Sequence, residues 1–172
     1  MTDLHIRAVD DDTTAEDWRY VHNAIIPTAP LTSDEVRDRV GRNRLEVAYR
    51  GDVLVGCSTV RPPTPDEAVA TVIARTLAEH RGQGVGEALY TRGIAHARRL
   101  GAEAIETVVL SCNEDGLRFA LAHGFVETER YLLDGDTIPW VTLRLRDPAA
   151  GLDQPRARVE RRVPGRRRAA RG

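Results

Sequence analysis

The chain has 172 residues, 41% of them hydrophobic and 30% charged, the mix of one soluble globular domain with a single sizeable core. No apolar run approaches the roughly 20 residues of a membrane helix, and the polar start MTDLHIRAV lacks the apolar centre of a secretory signal, so the expected location is cytoplasmic with no membrane partner. The net charge is −1, all 25 basic residues are Arg, and Cys57 and Cys112 form no CxxC pair; lysine-dependent sites are excluded, a metal site has no support, and the thiols are expected to be reduced.

Residues 4–9 alternate and predict a first strand. Residues 13–26 open with Thr caps and early acids and place Trp18, Val21 and Ile25 at helical spacing, until Pro27 and Pro30 end the helix. Trp18, Tyr20 and His22 invite a substrate-pocket reading, but the spacing with Val21 puts Trp18 in the core. Residues 32–40 form a second short helix with acids in its first turn, closed by Gly41. Residues 45–60 are two alternating runs about Arg50-Gly51-Asp52, a hairpin signal, with Cys57 buried and inert in the second.

After RPPTPDE, residues 67–78 are a β-branched run expected as a central strand. Residues 85–101 predict a long helix with Arg98 and Arg99 in its last turn and Gly101 as its cap. Gly93 inside it costs about 1 kcal/mol relative to Ala, which close packing on the sheet would explain. Residues 102–112 read as a buried strand, and 113–124 as a short helix capped by Asn113 and ended by Gly124. FVETERYLL and IPWVTLRLR supply two last strands about Asp134-Gly135-Asp136. His5 and His96 read as surface residues, Phe119 and Phe125 as core. Strands alternating with helices, with hairpins at both ends, define an α/β fold on a mixed sheet.

From Asp147 the pattern dissolves into Pro and Arg, so residues 1–146 are expected as one domain and 147–172 as a disordered tail. Eight Arg against three acids put the tail at +5 and the remainder at −6. No aromatic residue interleaves with those arginines, so nucleic-acid binding is a minor reading beside a solvated tail.

The stretch EHRGQGVGEAL places Gly82, Gly84 and Gly86 between the central strand and the long helix. Strand, glycine loop and helix form an anion-binding arrangement, because the first N–H groups of a helix lack partners. A P-loop needs Gly-Lys five positions beyond Gly82, where Glu87 stands; a dinucleotide fingerprint fails as well, with Leu89 or Glu87 at its last position. The pattern that remains is Arg81-Gly82-Gln83-Gly84-Val85-Gly86, either a tight turn or a phosphate cradle.

That pattern resembles the signature of the GNAT N-acetyltransferase superfamily, and Asn113, Phe119 and Gly124-Phe125 resemble its closing element. The resemblance runs from Leu4 to Arg146 and implies a twisted, mostly antiparallel sheet of six to seven strands flanked by about four helices. It implies acetyl-CoA as cosubstrate, an amine acceptor, no metal, and often a homodimer. It further implies that the backbone of Gly82, Gln83, Gly84, Val85, Gly86 and Glu87 cradles the pyrophosphate beside Arg81. Ala74, Arg75 and Thr76 would pair with pantetheine and polarise the thioester carbonyl. Asn113 would contact the pantetheine arm and Phe119 would stand beside the cofactor, although Asn113 is equally a helix cap.

Two features depart from the family pattern, at three positions. The usual proton-donating Tyr is Ala120, and the usual Glu positions are Val108 and Ala70. Glu106, on the same strand face as Val108 by period two, His123 and Tyr131 are the substitute candidates. The expected activity is acetyl transfer to a primary amine by direct attack, the negative folded part favouring a cationic acceptor by steering. The alternative is a degenerate domain that binds CoA or acetyl-CoA as a sensor.

Overall fold

The computed structural model describes residues 3–146, so the expectation for 147–172 lies outside the described residues. Strand β1 (Leu4–Ala8) is followed by helix α1 (Asp12–Ile25) and helix α2 (Ser33–Val40). Both helices start with capping boxes. Asp11, not a Thr, caps α1: its carboxylate accepts from Thr14 N at 2.7 Å. Thr32 and Glu35 cap α2 reciprocally.

Strands β2 (Arg44–Arg50) and β3 (Val53–Arg61) form the hairpin, turning at Gly51 with φ 61°. Strand β4 (Val69–Thr76) is shorter than the sequence implies, because the chain turns into a 3-10 segment at Ala78–His80. Helix α3 (Val85–Arg99), strand β5 (Ala104–Leu110), helix α4 (Glu114–Ala122) and strands β6 (Phe125–Tyr131) and β7 (Trp140–Leu145) complete the domain.

The expected sheet is present with seven strands in the order β1-β2-β3-β4-β5-β7-β6. Its neighbours are antiparallel except β4 and β5, which run parallel from Val69↔Ala104 to Thr71↔Glu106 and then have no ladder. One face carries α3 and α4 over Val60, Ala70, Val72, Ile105, Val109 and Phe125. The other carries α1 and α2 over Leu45, Val47 and Cys57.

Glycine lets α3 sit against the first of these faces. A Cβ on Gly93 would lie 2.6 Å from Val72 Cγ1, so packing accounts for a glycine in mid-helix. Gly93→Ala is therefore expected to destabilise by about 1–3 kcal/mol through overpacking, outweighing the gain of about 1 kcal/mol in helix propensity. A urea melt checks the sign: stabilisation would mean that the contact yields.

Candidate active site

The loop from β4 to α3 takes its shape from two glycines in the left-handed region, Gly82 with φ 73° and Gly84 with φ 83°. A side chain there costs about 1–2 kcal/mol. A Cβ at either would meet no atom within 4 Å, so both face open space. Gly84 is the N-cap of α3 and supplies no side-chain cap. The first bond of the helix runs from Ala88 N to Gly84 O at 3.1 Å. The N–H groups of Val85, Gly86 and Glu87 therefore stay unused within the helix, at its positive end.

Ion pairs brace this loop. Arg81 donates to the Thr76 carbonyl at 3.2 Å and pairs with Asp115 at 3.0 Å, and Asp115 also holds Arg118 at 3.2 Å. Arg50 donates to the Gln83 carbonyl at 3.3 Å. A Cβ on Gly86 would touch the Phe119 ring at 3.4 Å, which brings α4 against the start of α3.

A cavity of about 630 Å³ opens at the loop, a size suited to a small-molecule site. It follows β4 from Ile73 to Thr76 and β5 from Thr107 to Leu110, and reaches Ile25 and Ile26 at the end of α1. It exists because β4 and β5 part beyond Thr71 and Glu106. Ala74, Arg75, Thr76, Arg81, Gly82, Gly84, Val85, Gly86, Glu87, Asn113 and Phe119 all border it, whereas Gln83 does not. Asn113 is both cap and wall: its Oδ1 accepts from Gly116 N at 3.0 Å while the residue lines the cavity.

The three catalytic candidates do not converge. Glu106 lies opposite Arg144 in the β5–β7 ladder, is ion-paired with it at 2.8 Å, and stands outside the cavity wall. His123 is exposed, hydrogen-bonded through Nδ1 to the Phe119 carbonyl at 2.8 Å and stacked on that ring at 3.9 Å. Tyr131 packs in the cluster of Ile26, Leu110 and Trp140, and of these Ile26 and Leu110 line the cavity. Ala120 is fully buried.

Sequence reasoning missed Tyr90 and Thr107, whose hydroxyls bond at 2.8 Å in the cavity wall. Burial pushes the Tyr90 phenol up to about 12, so it stays protonated. The helical spacing Gly86, Tyr90, Gly93 was the available signal for an inward-facing Tyr. His80 and Arg118 also line the cavity.

His22 is buried, stacks on Trp18 at 5.3 Å and places Nδ1 3.1 Å from Asn23 Oδ1. Burial first, then the charges of Arg75, Arg39 and Arg61, push its pKa down to about 3, against the Asn23 hydrogen bond. The native imidazole therefore stays neutral while the unfolded one takes a proton below about 6.5. The His22 contribution is complete above that pH and falls by about 1.4 kcal/mol per unit on acidification towards 3. His22→Gln is expected to flatten the stability profile between pH 6.5 and 5 (urea melts across that window). Parallel profiles for the two proteins would refute a buried neutral His22.

The model of the acetyltransferase (GNAT) family matches residues 12–125, and the chain belongs to that family. Solved structures share its fold. Ard1 from Thermoplasma volcanium has a TM-score of 0.69 at 18% identity, covering 84% of this chain and 99% of that one. Naa50 from Arabidopsis thaliana, in complex with the bisubstrate analogue CoA-Ac-MVNAL, gives the same TM-score of 0.69, 18% identity and coverage of 84% and 99%. The yncA protein from Salmonella typhimurium, solved with its cofactor acetyl-CoA, has a TM-score of 0.65 at 21% identity, covering 87% and 98%. No curated protein matches the sequence. Among the described residues no helix is long and apolar enough to cross a membrane, and no group of three or more His, Cys, Asp or Glu could hold a metal ion.

Proposed function

We propose that the protein transfers an acetyl group from acetyl-CoA to a primary amine by direct attack within a ternary complex. One observation carries this reading: a left-handed glycine loop at the unpaired start of α3 opens onto the cavity along the parting of β4 and β5. The residues present fit the cofactor, because the space beside Gly82 and Gly84 is open and the N–H groups there have no helical partner.

Bound acetyl-CoA would supply an activated thioester, in which the C–S bond breaks as the amine nitrogen bonds the acetyl carbon, with the amine proton passing to the thiolate or to solvent. The loop N–H groups from Gly82 to Glu87 would hold the pyrophosphate, with Arg81 and Arg118 as nearby cations. The β4 edge at Ala74, Arg75 and Thr76 would pair with the pantetheine arm, one N–H polarising the thioester carbonyl. Asn113 would offer its Nδ2 to the same arm, and Phe119 and Tyr90 would wall it. Of the three catalytic candidates, Tyr131 packs with Ile26 and Leu110 and His123 stacks on Phe119, all of which line the cavity.

The second reading is a CoA-binding module without turnover. It is favoured by Ala120 and by the engagement of Glu106 with Arg144 and His123 with Phe119. A missing general acid lowers a rate by about 10²–10⁴-fold without abolishing it. Calorimetric titration of acetyl-CoA, followed by an assay of thiol release with amines, separates the two. Binding with amine-dependent release supports transfer; binding with none supports the module; no binding removes both.

A further inference from the structure

On the sheet side beneath α1 and α2, Arg39 and Arg75 have no carboxylate ion-pair partner among the described residues. Residues directly opposed in a ladder share a face. Cys57, which packs with Trp18, Val21 and Val36, opposes Arg75, and Arg61 opposes Thr71. Arg39 of α2 is buried on the same side and leaves its Nε without a partner. Thr59, opposite the cavity-lining Ile73, likewise leaves its Oγ1 unpartnered.

Arg75 borders the cavity, is half-buried opposite Cys57, and has no carboxylate partner among the described residues. Its companion on the wall, the Cys57 thiol, is pushed up to about 12 by burial and is no counterion. Burial and the charges of Arg61 and Arg75 bring Arg39 down to about 10, still protonated at neutral pH. Glu106, a carboxylate on this face, is committed to Arg144. Arg75 opposes Cys57 and so lies on the face covered by α1 and α2, whereas the glycine loop leads into α3 on the opposite face.

Uncompensated buried cations are costly, and a guanidinium fork fits a carboxylate. Around Arg75 the walls are apolar: Ile25, Ile26, Ile73, Val108 and Leu110. We propose that the acceptor is an α-amino acid with an apolar side chain, its carboxylate received by Arg75 with Arg39 behind it and its amine directed to the thioester end of β4. This rests on the acetyl-transfer reading and narrows it: the −6 of the folded part suggests a cationic acceptor, whereas the local field selects a zwitterion.

The test compares probes that differ in the anion alone, L-leucine with L-leucinamide and L-phenylalanine with its carboxamide. Each is titrated calorimetrically into the full-length protein with and without CoA, and each is assayed for acetylation. The acids are expected to bind and react about 10–100-fold better than the amides. The chemical bias runs the other way, since the amide's amine is less basic and more of it is free to attack. Arg75→Gln is expected to erase the preference for acids over amides and to raise the melting temperature, as removal of an unpaired cation should and loss of a structural contact would not. If that variant fails to fold, Arg39→Met carries the same comparison.

Amides that bind or react as well as acids overturn the proposal. So does a preference that survives Arg75→Gln, or no binding of either acid at millimolar concentration. Failure of acetyl-CoA itself to bind overturns the transfer reading instead, while the titrations without CoA still decide the anion site.

Discussion

Acetyl-CoA binding is expected to disappear in Gly84→Glu. Gly84 has φ 83° and caps α3, and nothing lies within 4 Å of where its Cβ would stand. A glutamate there would bring a carboxylate to the positive end of α3, in the volume assigned to the pyrophosphate. Like charges in such a juxtaposition cost several kcal/mol, a loss of about 10²–10³-fold or more in affinity. The backbone strain is about 1–2 kcal/mol, small enough to leave a folded protein for the measurement.

Gly84→Ala separates the two effects. It carries the strain without the charge, so it should destabilise by a similar amount yet keep more affinity than the glutamate variant. Calorimetric titration alongside circular-dichroism melts gives both quantities. A glutamate variant that binds as well as wild type would reduce the three glycines to a turn, and the reading of the cavity as a cofactor site would fall with them.

The glycine loop was legible in the sequence because left-handed backbone and helix N-termini have local signatures: Arg81 to Gly86 sits where a strand run stops and a helix period begins. The hairpins were legible for the same reason, each with glycine at its turn. Asp11 was missed as the α1 cap since Thr13 and Thr14 stand in the same window, and Thr14 turned out to be the reciprocal partner. The end of β4 was missed because Leu77 and Ala78 continue the apolar run, although the backbone turns there into a 3-10 segment.

The proposed acceptor end was hidden for a deeper reason. Arg75 lies in a β-branched run where its backbone, not its side chain, drew the functional reading, and Arg39 occupies a helix that looks like a charged surface helix. Their burial depends on which strand residues oppose them and on α2 folding over the sheet, and neither is written in any one segment. Net charge speaks to steering, not to this position: it sums over the molecule, whereas a buried site feels the few charges beside it. Glu106 could be placed on the right face by period two, but its capture by Arg144 needed the β5–β7 pairing.

Trp18→Ala is expected to remove about 3–5 kcal/mol of folding stability. Trp18 has no exposed surface, packs among Val9, Val21, Val36, Val47 and Cys57, and donates its indole N–H to the Ser58 carbonyl at 3.0 Å. Truncation leaves a cavity and strips that carbonyl of a partner, and for a domain of this size each kcal/mol is worth about 2–4 °C in melting temperature. Trp18→Phe keeps most of the apolar burial and loses the N–H, so it should cost less than half as much. The two ends of the active-site cavity should respond differently. The glycine loop is anchored by Val85 and Leu89 against Ala48 and Val55, a cluster that does not include Trp18. The proposed acceptor end depends on α1, because Ile25 and Ile26 line the cavity and His22 stacks on Trp18. At low temperature, where the variant remains folded, Trp18→Ala should keep acetyl-CoA affinity within about threefold, as independent sites do, while acceptor-dependent thiol release falls. Equal losses in both would mean that α1 and the glycine loop form one cooperative unit, and that the helix positions the cofactor as well as the acceptor.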